Sequence, residues 1–327
     1  MRIDRPGSIL CFGEVMLRLG AASGVKLANA HGFAIHVGGA EANVGALLAQ
    51  LGRRVEMITV LPQSPLGDRC EAELRGVGLG SPNIHRADGR MGLYFVEGAS
   101  GVGRIVYDRE GSAFAENSDA FDWPILATAA AWFHVSGINL ALGGKPAEAA
   151  LRAVQAMADA GVPVSFDVNH RASLWKDRSK ADRECVAEMI GMADVLFASH
   201  RRLKQALNLD DADPTRAAFS AFSKIRVIGS TRRSMDRQRL SARVATCDEA
   251  YETEAASLGQ IVDRIGSGDA FAGGVIDAIL RGASAEECAK SGLAAAVMKH
   301  GIAGDRWIGT REELEAFDPF APGDIRR

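Results

Sequence analysis

Short, nearly continuous apolar runs alternate along this chain with longer segments in which apolar residues return at helical spacing. Runs of the first kind mark strands covered on both faces, and their alternation with helices predicts a largely parallel sheet. Such runs stand at 8–17, 54–61, 132–138, 162–168, 194–199 and 225–231, the first interrupted by Gly13 and Glu14. Helical spacing links Val44, Leu47, Leu48 and Leu51, with Gly52 closing the helix. It returns over 145–160, where Leu151, Val154 and Met157 share one face. Pro65 opens a helix that reaches about Arg75, and Leu203 and Leu207 mark another between the last two strands. Residues 270–280 form an apolar helix stopped by Gly282, and a capping box from Ser284 to Glu287 starts an alanine-rich helix over 288–299.

One stretch breaks the rhythm. From 84 to 113 the chain is short, alternating and punctuated by glycine. Residues 91–97 and 104–109 read there as antiparallel strands with one wet face. Such an island inside an α/β chain is a lid over a site or a solvated hairpin, and Tyr94, Tyr107 and Arg109 favour contact with a ligand. The basic residues over 232–243 show no period and read as a solvated loop. No repeat, low-complexity segment or linker divides the chain, so residues 1–327 are expected to form a single domain.

Composition narrows the function. With 327 residues, 47% of them hydrophobic and 24% charged, this is the composition of a soluble globular protein with a substantial core. A net charge of -3 with scattered Lys and Arg gives no footprint for nucleic acid or an anionic membrane, so small molecules are the expected partners. Five widely spaced cysteines without a CxxC pair read as thiols of a reducing cytoplasm, and there is neither a signal peptide nor a membrane-spanning run.

The candidate chemistry sits where Asp263-Arg264-Ile265-Gly266-Ser267-Gly268-Asp269 runs into the helix over 270–280. Gly266, Ser267 and Gly268 form the turn that opens this helix. The first amides of a helix lack intrahelical partners and carry the positive end of its dipole, so they can hold a phosphate. A carboxylate at the same spot, Asp269, would repel that phosphate unless it takes a proton from a hydroxyl attacking phosphorus. Ordinary helix capping by Asp269 is the alternative. Two other places are more polar than turning requires. One is Gly38-Gly39-Ala40-Glu41-Ala42-Asn43, before the helix at 44–51. The other is Asp167, Asn169 and Arg171 at the carboxyl end of a strand, the edge where open α/β sheets bind ligands.

Residues 38–43 and 263–269 resemble, as a pair, the two signatures of the ribokinase-like (PfkB-type) carbohydrate kinases, with Ser267 at a position that family usually fills with alanine. The resemblance spans nearly the whole chain. It implies an α/β ribokinase-like fold, in which a central, mostly parallel sheet is flanked by helices. A small β-sheet lid is implied from strands within about 12–36 and 84–115, as is a homo-oligomer assembled through that lid. Gly92-Leu93-Tyr94-Phe95, Tyr107, Arg109, Ser112-Ala113, residues 167–171 and Leu174-Trp175 make the chain most similar to the family's sugar-acid kinases, those of 2-keto-3-deoxygluconate (2-dehydro-3-deoxygluconate).

By that similarity Asp269 is the catalytic base and Gly266, Ser267 and Gly268 are the anion hole. Gly39, Asn43, Tyr94, Tyr107, Arg109 and Arg171 hold the substrate, the arginines gripping its carboxylate. ATP and magnesium are the implied cofactors. Nucleotide contacts would come from Asn169, Ser199, Ser230, Thr231, Arg232, Gly266 and Gly268, and no residue is assigned as a direct metal ligand. Ser199-His200-Arg201-Arg202 departs from the family's Asn and Glu, putting a base where an acid helps organise magnesium and phosphate. Gly229-Ser230-Thr231-Arg232-Arg233 lacks the lysine of many members. The implied reaction is phosphorylation of the terminal hydroxyl of 2-keto-3-deoxygluconate. One rival is a kinase of the same fold for a neutral sugar such as fructose or ribose, against which Arg109 and Arg171 count. The other is a sugar-binding regulator without catalysis, against which Asp269 counts.

Overall fold

The computed structural model describes residues 5–98, 104–170, 175, 180–207 and 213–321. Among them, seven strands of the central sheet run parallel. Their order is Val227–Arg233, Val195–Phe197, Val164–Asp167, Ala130–Ser136, Ser8–Phe12, Val55–Pro62 and Ile84–Ala87. Arg239–Ala245 extends the sheet antiparallel to Val227–Arg233, and Ala250–Glu252 and Ala256–Ser257 pair antiparallel with it.

The strand Ser8–Phe12 shows why the apolar runs are continuous. Ile9 and Cys11 enter one core with Leu48, Val275 and Leu293, while Leu10 and Phe12 enter the other with Met157 and Met189. Helices therefore cover both faces: Ala40–Gln50, Ser267–Leu280 and Ala285–His300 on one, Gly144–Asp159 and Lys180–Gly191 on the other. The far end of Ser267–Leu280 is tied down by Asp277, a fully buried carboxylate. It lies 2.7 Å from Arg53 Nε, 3.0 Å from Arg281 Nε and 2.9 Å from Arg311 Nη2.

A second sheet holds Ala34–Gly38, Met16–Gly20, Gly92–Val96 and Ile105–Asp108 in that order. The middle pair is parallel and the outer pairs are antiparallel. Chain leaves the central sheet for it through Gly13, Glu14 and Val15, and returns at Gly39 into the helix Ala40–Gln50. Tyr94 and Tyr107 pair in register and stack, ring centroids 5.7 Å apart. The row Ile35, Leu19, Phe95 and Val106 lies one residue out of step, on the opposite face.

Two sequence expectations are corrected here. Ile84–Ala87, inside the stretch assigned to the lid, pairs parallel with Val55–Pro62 as the edge strand of the central sheet. Ile84 and Ala87 pack on its two cores, so the short segment is claimed by tertiary burial that local alternation does not reveal. The 232–243 stretch is a hairpin, with only the largely exposed turn over 234–238 outside its strands. Arg232 and Arg233 finish one strand and Arg239–Ala245 forms the next, with Leu240, Ala242 and Val244 buried at period two. The interleaved arginines disguised that period.

His134 lies on the central strand Ala130–Ser136, its Nδ1 2.9 Å from Ser165 Oγ. Burial pushes its pKa down from 6.5 to about 3. Between those values the unfolded chain binds a proton there that the folded chain excludes, so acidification costs stability. His134→Gln removes this one penalty. The variant is expected to gain about 1.4 kcal/mol on wild type for each pH unit below about 6, measured by urea unfolding of both proteins from pH 6.5 to 4.5. A difference that does not change with pH would show that His134 titrates normally.

Candidate active site

A cleft of about 350 Å³ opens between the carboxyl edge of the central sheet and the small sheet. Its floor is the start of Ser267–Leu280. Gly266 caps this helix with a φ of 81°, and a Cβ there would stand 1.7 Å from the Asp305 carbonyl oxygen, so only glycine fits. Around Gly268 nothing would meet a Cβ within 4 Å, which leaves the first-turn amides open to an anion. Asp269 sits in the first turn of the helix, while its cap, Gly266, makes no side-chain cap bond. The carboxylate is instead held from another helix, Asn43 Nδ2 donating to Asp269 Oδ2 at 2.7 Å. A carboxylate only accepts, so this bond fixes the amide's orientation. Asn43 Oδ1 is left as a buried acceptor at the cleft with no partner among the described residues.

The small sheet supplies the opposite wall. Arg109 Nε donates to Glu14 Oε2 at 2.7 Å, and Ser112 Oγ donates to Glu14 Oε1 at 2.6 Å. Both charged groups are buried, so Arg109 lines the cleft but brings it no net charge. Tyr94 donates its hydroxyl to Asp305. Arg18 Nη1 lies 2.7 Å from Asp305 Oδ1 and 2.7 Å from Asp263 Oδ2, and Asp263 also accepts from the amides of Ile265 and Gly304 at 3.0 and 3.1 Å. Burial raises the Asp305 pKa, against the pull of Arg18.

Glu41 lines the cleft beside Asn43, but its carboxylate is bonded within the protein. Its Oε1 accepts from Ser136 N, Ser136 Oγ and Asn139 Nδ2 at 2.9, 2.7 and 2.9 Å. It thereby pins the helix start after Gly39 to a central strand, and burial raises its pKa. Gly39 has a φ of 152°, and a Cβ there would stand 2.4 Å from the Glu14 carbonyl. Asn169, at the end of Val164–Asp167, takes a positive φ of 34° and donates its amide to Asp167 Oδ1 at 2.9 Å. Asn is one of the few residues that tolerate this conformation.

The structure thus brings Gly39, Asn43, Tyr94, Tyr107, Arg109, Asn169, Gly266, Ser267, Gly268 and Asp269 to one cleft. Arg171 lies outside the described residues. Ser199, Ser230, Thr231 and Arg232 line a second pocket of about 260 Å³. The same two segments give Arg202 and Arg233 to the first cleft.

Sequence reasoning missed Glu14, Arg18, Asp305 and Arg233. Glu14 left a trace, since an acid interrupting an apolar strand needs a buried partner. Arg233 follows from period two, which puts it on the face opposite Arg232. Arg232 Nη2 reaches Glu252 at 2.7 Å, whereas Arg233 Nη2 donates to Ser267 Oγ at 3.0 Å. Burial, then Arg264 and Arg237, pushes the Arg233 pKa down to about 10. No sequence signal pointed to Arg18 or Asp305.

A carboxylate beside open helix amides, at the carboxyl edge of a parallel sheet and covered by a separate small sheet, is the arrangement of a ribokinase-like sugar kinase. Residues 7–305 match the pfkB family carbohydrate kinases, and the chain belongs to that family. It is 30% identical over 311 residues to a 2-dehydro-3-deoxygalactonokinase of Haloferax volcanii, covering 94% of this chain and 95% of the relative. It is 27% identical over 310 residues to a 2-dehydro-3-deoxygluconokinase of Bacillus subtilis, covering 94% of each. Among solved structures, a 2-dehydro-3-deoxygluconokinase of Thermotoga maritima matches with a TM-score of 0.84 and 33% identity, covering 94% of this chain and 98% of that one.

Asp269→Asn keeps size and most hydrogen-bonding capacity while removing the negative charge and the proton-accepting carboxylate. It is expected to lower kcat by about 10²- to 10⁴-fold with the melting temperature nearly unchanged. A normal kcat with a lower melting temperature would assign Asp269 to helix capping.

Proposed function

We propose that the protein transfers the terminal phosphoryl group of ATP to the terminal hydroxyl of a sugar acid, 2-keto-3-deoxygluconate or a close relative of it. The observation that carries the transfer is Asp269, held by Asn43 at a helix start whose amides face the cleft. Full-length similarity to kinases of 2-dehydro-3-deoxy sugar acids supports the substrate class. In this reading the substrate hydroxyl lies between Asp269 and Asn43 Oδ1. Asp269 removes its proton as oxygen meets phosphorus, and the amides of the Gly266 to Gly268 turn bear the charge of the group in flight. Tyr94 and Tyr107 cover the sugar.

Ser199, Ser230, Thr231 and Arg232 offer the second pocket to the nucleoside, with Asn169 nearer the phosphates. Among the described residues no group of three or more His, Cys, Asp or Glu could hold a metal ion. The carboxylates lining the cleft are engaged, Glu14 with Arg109, Glu41 with Ser136 and Asn139, Asp167 with the Asn169 amide, Asp269 with Asn43 and Asp305 with Arg18. These side chains do not make a magnesium site, so magnesium would come with the nucleotide and no step is assigned to it. No described helix is long and apolar enough to cross a membrane. We place the enzyme in the cytoplasm as one kinase domain.

The pairing of Arg109 with Glu14 favours a second reading, a neutral-sugar kinase, because it leaves Arg171 to grip a carboxylate. The discriminating measurement is ADP release with sugar acids and their uncharged counterparts. Arg171→Ala should raise KM for the acid by about 10- to 150-fold, the worth of a charge-assisted pair, and leave the neutral analogue and ATP little changed. Arg171→Lys should recover part of the loss. Equal losses on both sugars would favour the neutral-sugar kinase.

The outward row of the small sheet, Ile35, Leu19, Phe95 and Val106, carries an apolar face extended by Phe33, whose ring meets Phe95 edge-on at 5.7 Å. Ile35 is 38% and Phe33 37% exposed. We assign this face to a second copy of the chain. Light scattering should report an oligomer that Ile35→Glu with Val106→Lys converts to monomer, and a monomeric wild type would remove the assignment.

A further inference from the structure

Arg233 ends the strand Val227–Arg233 and turns into the cleft. Its Nη2 donates to Ser267 Oγ at 3.0 Å, and Ser267 Oγ donates onward to the Arg264 carbonyl at 3.0 Å. Its Nη1 is buried and has no partner among the described residues. Among the described residues no ion pair involves Arg233, and the carboxylates that line the cleft with it, Glu14, Glu41, Asp167, Asp269 and Asp305, bond to other groups. Its charged neighbours are other cations, Arg264 and Arg237. A buried cationic donor without an acceptor is costly, and here it stands beside helix amides that also seek an anion. Both needs are met by one ligand group with several oxygens and negative charge.

We propose that Arg233 is a catalytic residue that binds the terminal phosphate of the nucleotide, and that Ser267 is the positioning residue that fixes its guanidinium. This rests on the kinase reading above. In the reaction the substrate oxygen forms a bond to the terminal phosphorus and its proton passes to Asp269. The bond from phosphorus to the bridging oxygen breaks, and its electron pair leaves with ADP. Arg233 Nη1 meets a non-bridging oxygen of the group in flight, from the side opposite the sugar-covering tyrosines. The hydroxyl of Ser267 acquires a reason in this arrangement. Alanine, the family's usual residue there, would leave Nη2 without its acceptor and the guanidinium free to rotate away.

The test is calorimetric titration of the full-length protein with ATP and with AMP, alongside steady-state kinetics. Arg233→Ala should lose about 10- to 150-fold in ATP affinity and leave AMP affinity unchanged. Arg233→Lys should recover part of the loss, and free guanidinium ion added to Arg233→Ala should raise kcat. Ser267→Ala should weaken ATP binding by about 5-fold on its own and add nothing in the Arg233→Ala background, since the two act as one unit. Equal ATP affinity in wild type and Arg233→Ala, or equal losses for ATP and AMP, would overturn the proposal while leaving the kinase reading intact. A wild type that binds neither nucleotide would overturn both. Melting temperatures of all variants separate these outcomes from a folding defect.

Discussion

One nitrogen atom, Nη1 of Arg18, joins three parts of the chain. It lies 2.7 Å from Asp263, just before the turn at Gly266, and 2.7 Å from Asp305, beyond the alanine-rich helix, while Arg18 itself belongs to the small sheet. All three side chains are nearly sealed from water. Charges this dry persist only when paired, and losing one partner of such a cluster costs about 3–5 kcal/mol. The turn at Gly266 depends on it twice, because Asp305 also presses its carbonyl against Gly266 and receives the hydroxyl of Tyr94. The sheet that covers the cleft and the turn at Gly266 are therefore set by the same ion cluster.

The cleft divides into two electrical halves. Toward the small sheet, Arg109 and Glu14 cancel, and the stacked tyrosines present polar-edged, uncharged surface. Toward the helix start, Arg202, Arg233 and Arg264 surround the Gly266 to Gly268 turn. Asp269 stands at the seam, kept there by Asn43. Such a gradient sorts a sugar from a polyphosphate before any individual contact is considered.

Much of this was legible in residue pattern. Six of the seven described parallel strands showed as apolar runs because both faces are buried, Ile84–Ala87 being the exception, and the turn at 266–268 showed because glycine and serine just before an apolar helix have few other uses. The capping box at Ser284 formed as read, each side chain bonded to the other's backbone. What stayed hidden depends on distance along the chain. Arg18 and Asp305 are far apart in sequence, and neither residue type alone says that it is buried. Arg109 lines the cleft, yet its charge could not be assessed without Glu14 beside it. Arg232 and Arg233 read as one basic pair, and only the strand's pleat separates the outward residue from the inward one.

Asp277 gives the helix that carries Asp269 an unusual mechanical boundary condition. Its far end is clamped by guanidinium groups from three directions, Arg53, Arg281 and Arg311, while its near end abuts Asp305. A rod fixed at both ends can neither slide along its axis nor pivot. The Asp269 carboxylate, in the first turn at the near end, is thereby given a fixed place in the wall of the cleft, and the ion cluster of Arg18 holds the covering sheet to the same frame.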